Sequence, residues 1–208
     1  MNIQDAYSNW STTYDADRNL TRDLDQYATQ TILAHQHYRS IVEIGCGTGK
    51  NTPLLAEIGR QVYSIDFSPG MIEKAQQKVR SDHVAFLIAD ITKPWPCLAQ
   101  SAEMVVCNLV LEHIQDLTFV FSEAVRILHQ GGRLFICELH PFRQYQGKQA
   151  NFQHGSETIE IPAFLHHLSD FTNAASQNQL SLVHFQEWWD EADKTTVPRL
   201  VSFLFEKQ

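Results

Sequence analysis

The sequence predicts an α/β fold, a doubly wound and mostly parallel sheet, and three observations carry that prediction. At residues 41–50, three β-branched residues surround Glu43 and lead into glycine at every second position: Gly45, Gly47 and Gly49. Strand, glycine turn and helical pattern in that order open a nucleotide-binding βαβ unit. Strands and helices then alternate until five strands are in place. Finally, residues 103–109 carry Met104, Val105, Val106 and Cys107 in one continuous apolar run. Such a run is buried on both faces, as in a central parallel strand.

Residues 1–19 mix polar residues with Tyr7, Trp10 and Tyr14, too polar a segment to form its own core. Its aromatics must lie on something else, which makes it a packing arm over the sheet. Leu20, Leu24, Tyr27 and Ile32 or Leu33 fall at helical spacing and predict a helix within 20–37. After the glycine loop a helix covers 50–58, with Pro53 tolerated in its first turn and Gly59 closing it. The second strand, 61–65, ends in Asp66. Ser68 and Pro69 supply the cap and first residue of a helix over 69–80. The third strand, 84–89, ends in Asp90 and Ile91, and Pro94 and Pro96 around Trp95 make 92–100 a loop.

The fourth strand is the apolar run at 103–109. Asp116 caps the helix after it, whose buried stripe is Val120, Ala124, Ile127 and Leu128. Gly131 and Gly132 end that helix, and a fifth strand covers 133–139. Residues 140–153 contain no acid within an acidic protein and include Arg143, Tyr145 and Lys148. They follow the carboxyl end of strand five, where ligands bind in open α/β sheets, so 140–162 reads as a substrate-side cap or a plain surface insertion. Residues 163–178 read as a helix, with the adjacent His166 and His167 on different sides of it. The last strands cover 180–189 and 200–205.

The 208 residues are 43% hydrophobic, enough for one domain with a sizeable core, and no linker splits 1–208. A net charge of −8 without a basic block argues against duplex nucleic acid as a partner. The N-terminus lacks a basic and apolar leader pattern, and no apolar run approaches membrane-spanning length. Cys46, Cys97, Cys107 and Cys137 show no Cys-x-x-Cys spacing and read as small buried hydrophobes in a reducing cytoplasm. No pair of histidines has metal-ligand spacing, so no metal is expected. The chain is expected to be a monomer or homodimer.

The glycine loop departs from two familiar patterns. The dinucleotide fingerprint places its third glycine where this chain has Lys50, and a phosphate-cradling loop ends in Gly-Lys-Ser/Thr, whereas Asn51 follows Lys50. What the residues match is acid-x-Gly-x-Gly-x-Gly, from Glu43 to Gly49. This resembles the first motif of class I S-adenosylmethionine-dependent methyltransferases, and Asp66, Asp90 and the 108–113 segment fall where that family has its later motifs. The resemblance implies a Rossmann-like, mostly parallel seven-stranded sheet with an antiparallel last strand. It also implies S-adenosylmethionine as cofactor. By the same resemblance, Gly45, Cys46, Gly47 and Gly49 lie against the cofactor and Glu43 helps to fix its amino group. Asp66, with Phe67 beside it, takes the ribose hydroxyls. Asp90 accepts from the adenine amino group and Ile91 covers the ring. Asn108 and Leu109 meet the methionine end, over which Tyr14, with Asp15, closes.

The nucleic-acid and protein-amide branches of the family carry Asn-Pro-Pro-aromatic where this chain has Asn108-Leu109-Val110-Leu111. A small-molecule acceptor is therefore expected. His140, with Glu138 two residues earlier on the same strand face, is one candidate base, and His113 is another. Arg143, Tyr145 and Lys148 are candidates for binding an acceptor, with Arg143 and Lys148 suited to an anionic group. Trp188 and Trp189, among Glu187, Asp190, Glu191 and Asp193, form either a cradle for a cationic or aromatic acceptor or a solvated hairpin tip.

Overall fold

The expected sheet is present with the expected strand directions. The computed structural model describes residues 3–16, 19–147, 151–154, 157–190 and 196–208, with the backbone alone for 151–154 and 157–160. In chain order the strands are β1 (Tyr38–Ile44), β2 (Gly59–Asp66), β3 (Val84–Ile88), β4 (Ala102–Asn108), β5 (Leu128–Leu139), β6 (Asn151–His154), β7 (Glu157–Glu160), β8 (Leu180–Trp188) and β9 (Leu200–Lys207). The helices are α1 (Ile3–Trp10), α2 (Leu20–Leu33), α3 (Thr52–Ile58), α4 (Pro69–Lys78), α5 (Leu117–Ile127), α6 (Pro141–Tyr145) and α7 (Leu168–Gln177), with a 3-10 turn at Leu111–His113. Seven strands form one sheet in the order β3-β2-β1-β4-β5-β9-β8. β1 to β5 pair in parallel, and β9 inserts antiparallel between β5 and β8. The order reverses between β1 and β4, and there the carboxyl ends of neighbouring strands open a crevice.

Alternation along the central strands divides the core in two. Val42, Val105, Cys107, Leu134, Ile136, Val201 and Phe203 pack with α5 and α7 on one face. Their neighbours Ile41, Met104, Val106, Phe135, Cys137 and Leu204 pack with α2 and α3 on the other. Period-two strands with both sets apolar need helices on both sides, which is why the chain alternates as it does.

Several boundaries differ from expectation. Gly59 closes α3 as expected, its N–H donating to Leu55 O, but it does so in an extended conformation. Its φ is −113°, it already pairs with Tyr38 as the first residue of β2, and a Cβ there would lie 2.8 Å from Ile41 Cδ1. Gly131 and Gly132 lie within β5, not at the end of α5. Pairing jumps from Ala102–Leu128 to Met104–Arg133, so the glycines sit in the bulge between. The helix expected from 163 begins at Leu168, because Pro162 and the residues after it are bonded elsewhere. Phe164 N–H donates to Glu112 O at 2.6 Å, and His166 Nε2–H donates to Ile114 O at 2.7 Å. Asp170 then accepts the His167 N–H at 2.7 Å and starts α7. His166 and His167 therefore precede the helix.

The helix expected within 20–37 is present as α2, but its buried face is not its most apolar one: Leu20 and Tyr27 are 47% and 60% exposed, whereas Arg22, Asp25, Ala28, Thr29 and Leu33 are buried. The arm expected at 1–19 contains α1, which lies over α4. Ser8 and Ser68 hydroxyls meet at 2.9 Å, Gln4 donates to Phe67 O, and Ser11 Oγ would be 2.8 Å from a Cβ on Gly70. The cap region 140–162 contains α6 and the β6–β7 hairpin, which sequence periodicity did not reveal.

Candidate functional site

The crevice beyond β1 and β4 holds a cavity of about 300 Å³. Its floor is the glycine turn. Gly45, Gly47 and Gly49 have φ of +68°, +54° and +75°, a conformation that side chains with a Cβ resist. A Cβ on Gly45 would also lie 2.0 Å from Val110 Cγ2. Gly45 and Cys46 N–H both donate to Ile65 O, and Gly47 N–H donates to Asp66 Oδ2 at 2.9 Å. Asp66 Oδ1 accepts from Ser68 N–H at 2.8 Å, so one carboxylate ties the glycine turn to the start of α4. The helix cap itself is Ser68, whose hydroxyl accepts from Met71 N–H. Burial raises Asp66 to about 6 despite these backbone donors.

Glu43 is buried beneath the turn, its Oε2 accepting from Thr52 and Ser64 hydroxyls at 2.7 and 2.6 Å, and burial raises it to about 7. The same cavity is lined by Tyr14, Cys46, Phe67, Asp90, Ile91, Asn108 and Leu109. Asp90 Oδ1 is turned toward Thr92, accepting from its N–H and hydroxyl. Leu109 has φ +55°, a strained conformation for a branched side chain, held by its N–H donating to Cys137 O at 2.9 Å.

Sequence reasoning missed the wall supplied by α2 and the start of α3. Asp25 accepts from Asn108 Nδ2 at 2.5 Å and from Asn51 Nδ2 at 2.8 Å, and Asn108 Nδ2 also reaches Thr29 Oγ1 at 2.7 Å. Both amide groups turn their nitrogens to the carboxylate. Asn51 Oδ1 and Asn108 Oδ1 are left buried without a donor among the described residues. Burial raises Asp25 to about 6. Arg22, one turn earlier, also lines the cavity; its guanidinium lies 3.9 Å from the Tyr14 ring centroid and donates to Tyr14 O. The only signal for this wall was Arg22 and Asp25 at i,i+3 with the small Ala28 and Thr29 beyond, a stripe that an apolar-periodicity search passes over.

These residues suit the cofactor that the motifs imply. An α-amino acid end needs one cationic partner for its carboxylate and several acceptors for its ammonium. Arg22 supplies the first, and Asp25, Glu43 and the two donor-less amide oxygens supply the second.

The two candidate bases separate. His113 lines the cavity. Its Nδ1 lies 2.9 Å from Pro162 O, which can only accept, so Nδ1 carries the proton and Nε2 receives the Tyr7 hydroxyl at 2.7 Å. Burial holds its pKa below the ordinary histidine value. His140 does not line the cavity and is 1% exposed. Its Nδ1 accepts from Phe142 N–H to cap α6, and its Nε2–H donates to Glu187 Oε1 at 3.0 Å. Glu138 does not orient it: its Oε1 accepts from Val110 and Leu111 N–H, both at 2.8 Å. The placement makes His140 a capping residue.

The described candidates for acceptor binding, Arg143, Tyr145, Trp188 and Trp189, do not line the cavity. Trp188 belongs to the α2–α3 core with its Nε1–H donating to Ser202 Oγ at 2.9 Å, because its position on β8 points inward. Trp189 Nε1–H donates to Thr196 O. Arg143 pairs with Asp190 at 3.3 Å, and the half-exposed Tyr145 meets His167 Nδ1 at 2.6 Å. Lys148, Glu191 and Asp193 lie outside the described residues. Among the described residues no cluster of His, Cys, Asp or Glu could hold a metal ion, and no helix is long and apolar enough to cross a membrane.

Known proteins resemble this chain in domain and in fold. A family profile described as methyltransferase domain matches residues 42–136, from β1 through most of β5. The chain is similar to the malonyl-[acyl-carrier protein] O-methyltransferase of Yersinia pestis, 30% identical over 66% of this chain and 50% of that protein. It is 28% identical to the ubiquinone biosynthesis O-methyltransferase of Xanthomonas oryzae, over 65% of this chain and 57% of that one. It thus spans little more than half the length of these relatives. The fold is similar to that of an S-adenosylmethionine-dependent methyltransferase from Mesorhizobium loti, with a TM-score of 0.74, 17% identity, and coverage of 91% of this chain and 100% of that one. Residues 42–136, a little under half of the chain, thus match a methyltransferase-domain family, and the fold around them is that of S-adenosylmethionine-dependent methyltransferases.

Proposed function

We propose that this chain transfers a methyl group from S-adenosylmethionine to a hydroxyl or amine of a small-molecule acceptor. The observation that carries the reading is the set of buried acceptors, Asp25, Asn51 Oδ1 and Asn108 Oδ1, that lines one cavity together with Arg22 and the glycine turn. Arg22 holds the cofactor's carboxylate, and Asp25 with Asn51, Asn108 and Glu43 holds its ammonium group. Asp66 has lone pairs left for the ribose hydroxyls after its two backbone bonds, and Asp90 and Ile91 take the adenine end. The cofactor supplies an electrophilic sulfonium carbon, so the protein's work is alignment and electrostatics. Similarity to two proteins named as O-methyltransferases supports oxygen as the methylated atom. Arg143, the described residue on which an anionic acceptor rested, is paired with Asp190.

The test is calorimetry with S-adenosylmethionine, S-adenosylhomocysteine and NAD, followed by a panel of small hydroxyl and amine acceptors assayed for S-adenosylhomocysteine release. Binding of both sulfur compounds with turnover of at least one acceptor is the expected result. Tighter binding of NAD ends the reading, and cofactor binding without turnover of any acceptor makes the chain a cofactor-sensing protein.

A further inference from the structure

We propose that Tyr7 and His113 act together as the proton acceptor of the transfer, a unit assembled only when α1 lies over the cavity. This rests on the methyl-transfer reading above. Both side chains line the cavity, and they come from segments 106 residues apart. The Pro162 carbonyl fixes the proton on His113 Nδ1, which leaves Nε2 as the ring's basic lone pair. Tyr7 Oη stands 2.7 Å from that lone pair and donates to it. Its remaining lone pairs are free to accept from an acceptor X–H in the cavity.

The proton bookkeeping closes without another reactant. The X–H bond breaks and its proton passes to Tyr7 Oη, while the Tyr7 proton passes to His113 Nε2. The electron pair left on X forms the new bond to the methyl carbon, and the pair of the old S–CH3 bond stays on sulfur. The imidazolium then returns its Nε2 proton to Tyr7, whose hydroxyl releases one to solvent once the methylated product has left the cavity.

A second feature supports the pairing. Glu112 Oε1 lies 3.7 Å from His113 Nε2, and Glu112 Oε2 is buried with no partner among the described residues. A carboxylate left without a donor beside this ring is matched by the cation that forms on proton transfer. Glu112 is therefore a positioning residue. The other titratable groups facing the pair are Tyr14, Asp66 and Glu138. Packing of Tyr7 against Phe67 and Trp10, with ring centroids 6.2 and 5.9 Å away, places its hydroxyl without relying on the acceptor.

The experiment uses the full chain saturated with S-adenosylhomocysteine, whose binding is measured first. Imidazole 15N resonances report the His113 tautomer in the wild type and in Tyr7→Phe, which keeps the ring and removes the hydroxyl. The expected wild-type state is Nδ1-protonated, and Tyr7→Phe shifts the Nε2 resonance and raises the His113 pKa by about one unit, since the lost donor favoured the neutral ring. With an acceptor from the panel, Tyr7→Phe and His113→Gln each lower kcat about 100-fold while S-adenosylhomocysteine affinity stays within twofold. Glu112→Gln moves the acidic limb of the kcat profile, and Glu112→Asp restores it in part. An Nε2-protonated tautomer, an unshifted His113 titration in Tyr7→Phe, or Tyr7→Phe turnover within threefold of wild type overturns the proposal. Failure to bind S-adenosylhomocysteine refutes the methyl-transfer reading instead, so the two failures are told apart.

Discussion

His113 and His140 follow the carboxyl ends of adjacent strands, β4 and β5, yet the fold uses them in opposite ways. His113 sits on a short 3-10 turn at the cavity wall, with one nitrogen pinned to a carbonyl and the other facing a hydroxyl from α1. His140 is sealed beneath α6, its Nδ1 spent on the helix cap and its Nε2–H on Glu187. His140 directly follows β5 and His113 comes five residues after β4, and the nearer of the two has the lesser access. What decides is the next element, since a helix that begins at Pro141 takes the preceding side chain as its cap.

The cavity side is where substitution should act on binding. Asp66→Ala removes a carboxylate that serves the glycine turn, the start of α4 and, in the proposed complex, two ribose hydroxyls. A charge-assisted hydrogen bond is worth about 1.5–3 kcal/mol, so S-adenosylhomocysteine affinity is expected to fall at least 10-fold by calorimetry. Unchanged affinity with a lowered Tm would make Asp66 only a structural tie and blur the contrast between the two sides.

A second test sits between the two histidines, at Glu138. Its Oε1 holds the Val110 and Leu111 N–H groups, its Oε2 has no partner among the described residues, and burial raises it to about 8 from an ordinary 4.5. Between about pH 4.5 and 8 the folded chain therefore keeps a proton that the unfolded chain loses. Stability is greatest at the acidic end and falls as pH rises through that window, by at most about 1.4 kcal/mol per pH unit for this group. Glu138→Gln retains the Oε1 acceptor and cannot ionise. Its Tm is expected to exceed the wild type at pH 8 and to converge with it near pH 5. Equal slopes in both proteins would show that Glu138 is ionised in the fold.

His140→Ala should then do what a cap deletion does. It loses the Phe142 N–H bond and the Glu187 bond, at a cost of about 0.5–2 kcal/mol for the cap. A Tm lowered by a few degrees with cofactor affinity and kcat intact is expected, against a lowered kcat with intact affinity for His113→Gln. Loss of turnover in His140→Ala would erase the distinction between the two histidines.

The cofactor side was legible because its physics is local. Alternate glycines need left-handed φ, an acid ends β2, and each requirement is met within a few residues of chain. The α2 wall was not legible, since Asp25 and Thr29 are buried by partners supplied from Asn51 and Asn108, residues far along the chain, and Arg22 is held by Tyr14 from the segment before the helix. The apolar Leu20 and Tyr27 mark the helix but not the face it buries, because burying a charged stripe is favourable only once those amides are in place. Tyr7 was seen as an aromatic of a packing arm, but its meeting with His113 depends on how α1 crosses α4. Trp188 shows the converse: two tryptophans among acids suggested a cradle, and strand alternation turned one of them into the core.

The smallest expected effect is at Arg143, on the cap side. Its Nη2 reaches Asp190 Oδ2 at 3.3 Å, a carboxylate that Arg199 already holds through two nitrogens. Partly exposed pairs of this kind contribute about 0–1 kcal/mol, and Arg143 Nε is buried without an acceptor among the described residues, which offsets part of even that. Arg143→Ala should leave Tm within about 2 °C and cofactor affinity unchanged. Once an acceptor is known, its KM should also be unchanged, because the side chain is engaged away from the cavity. A raised KM with unaltered cofactor affinity would mean that Asp190 yields Arg143 to an anionic acceptor, and the cap would then belong to the site.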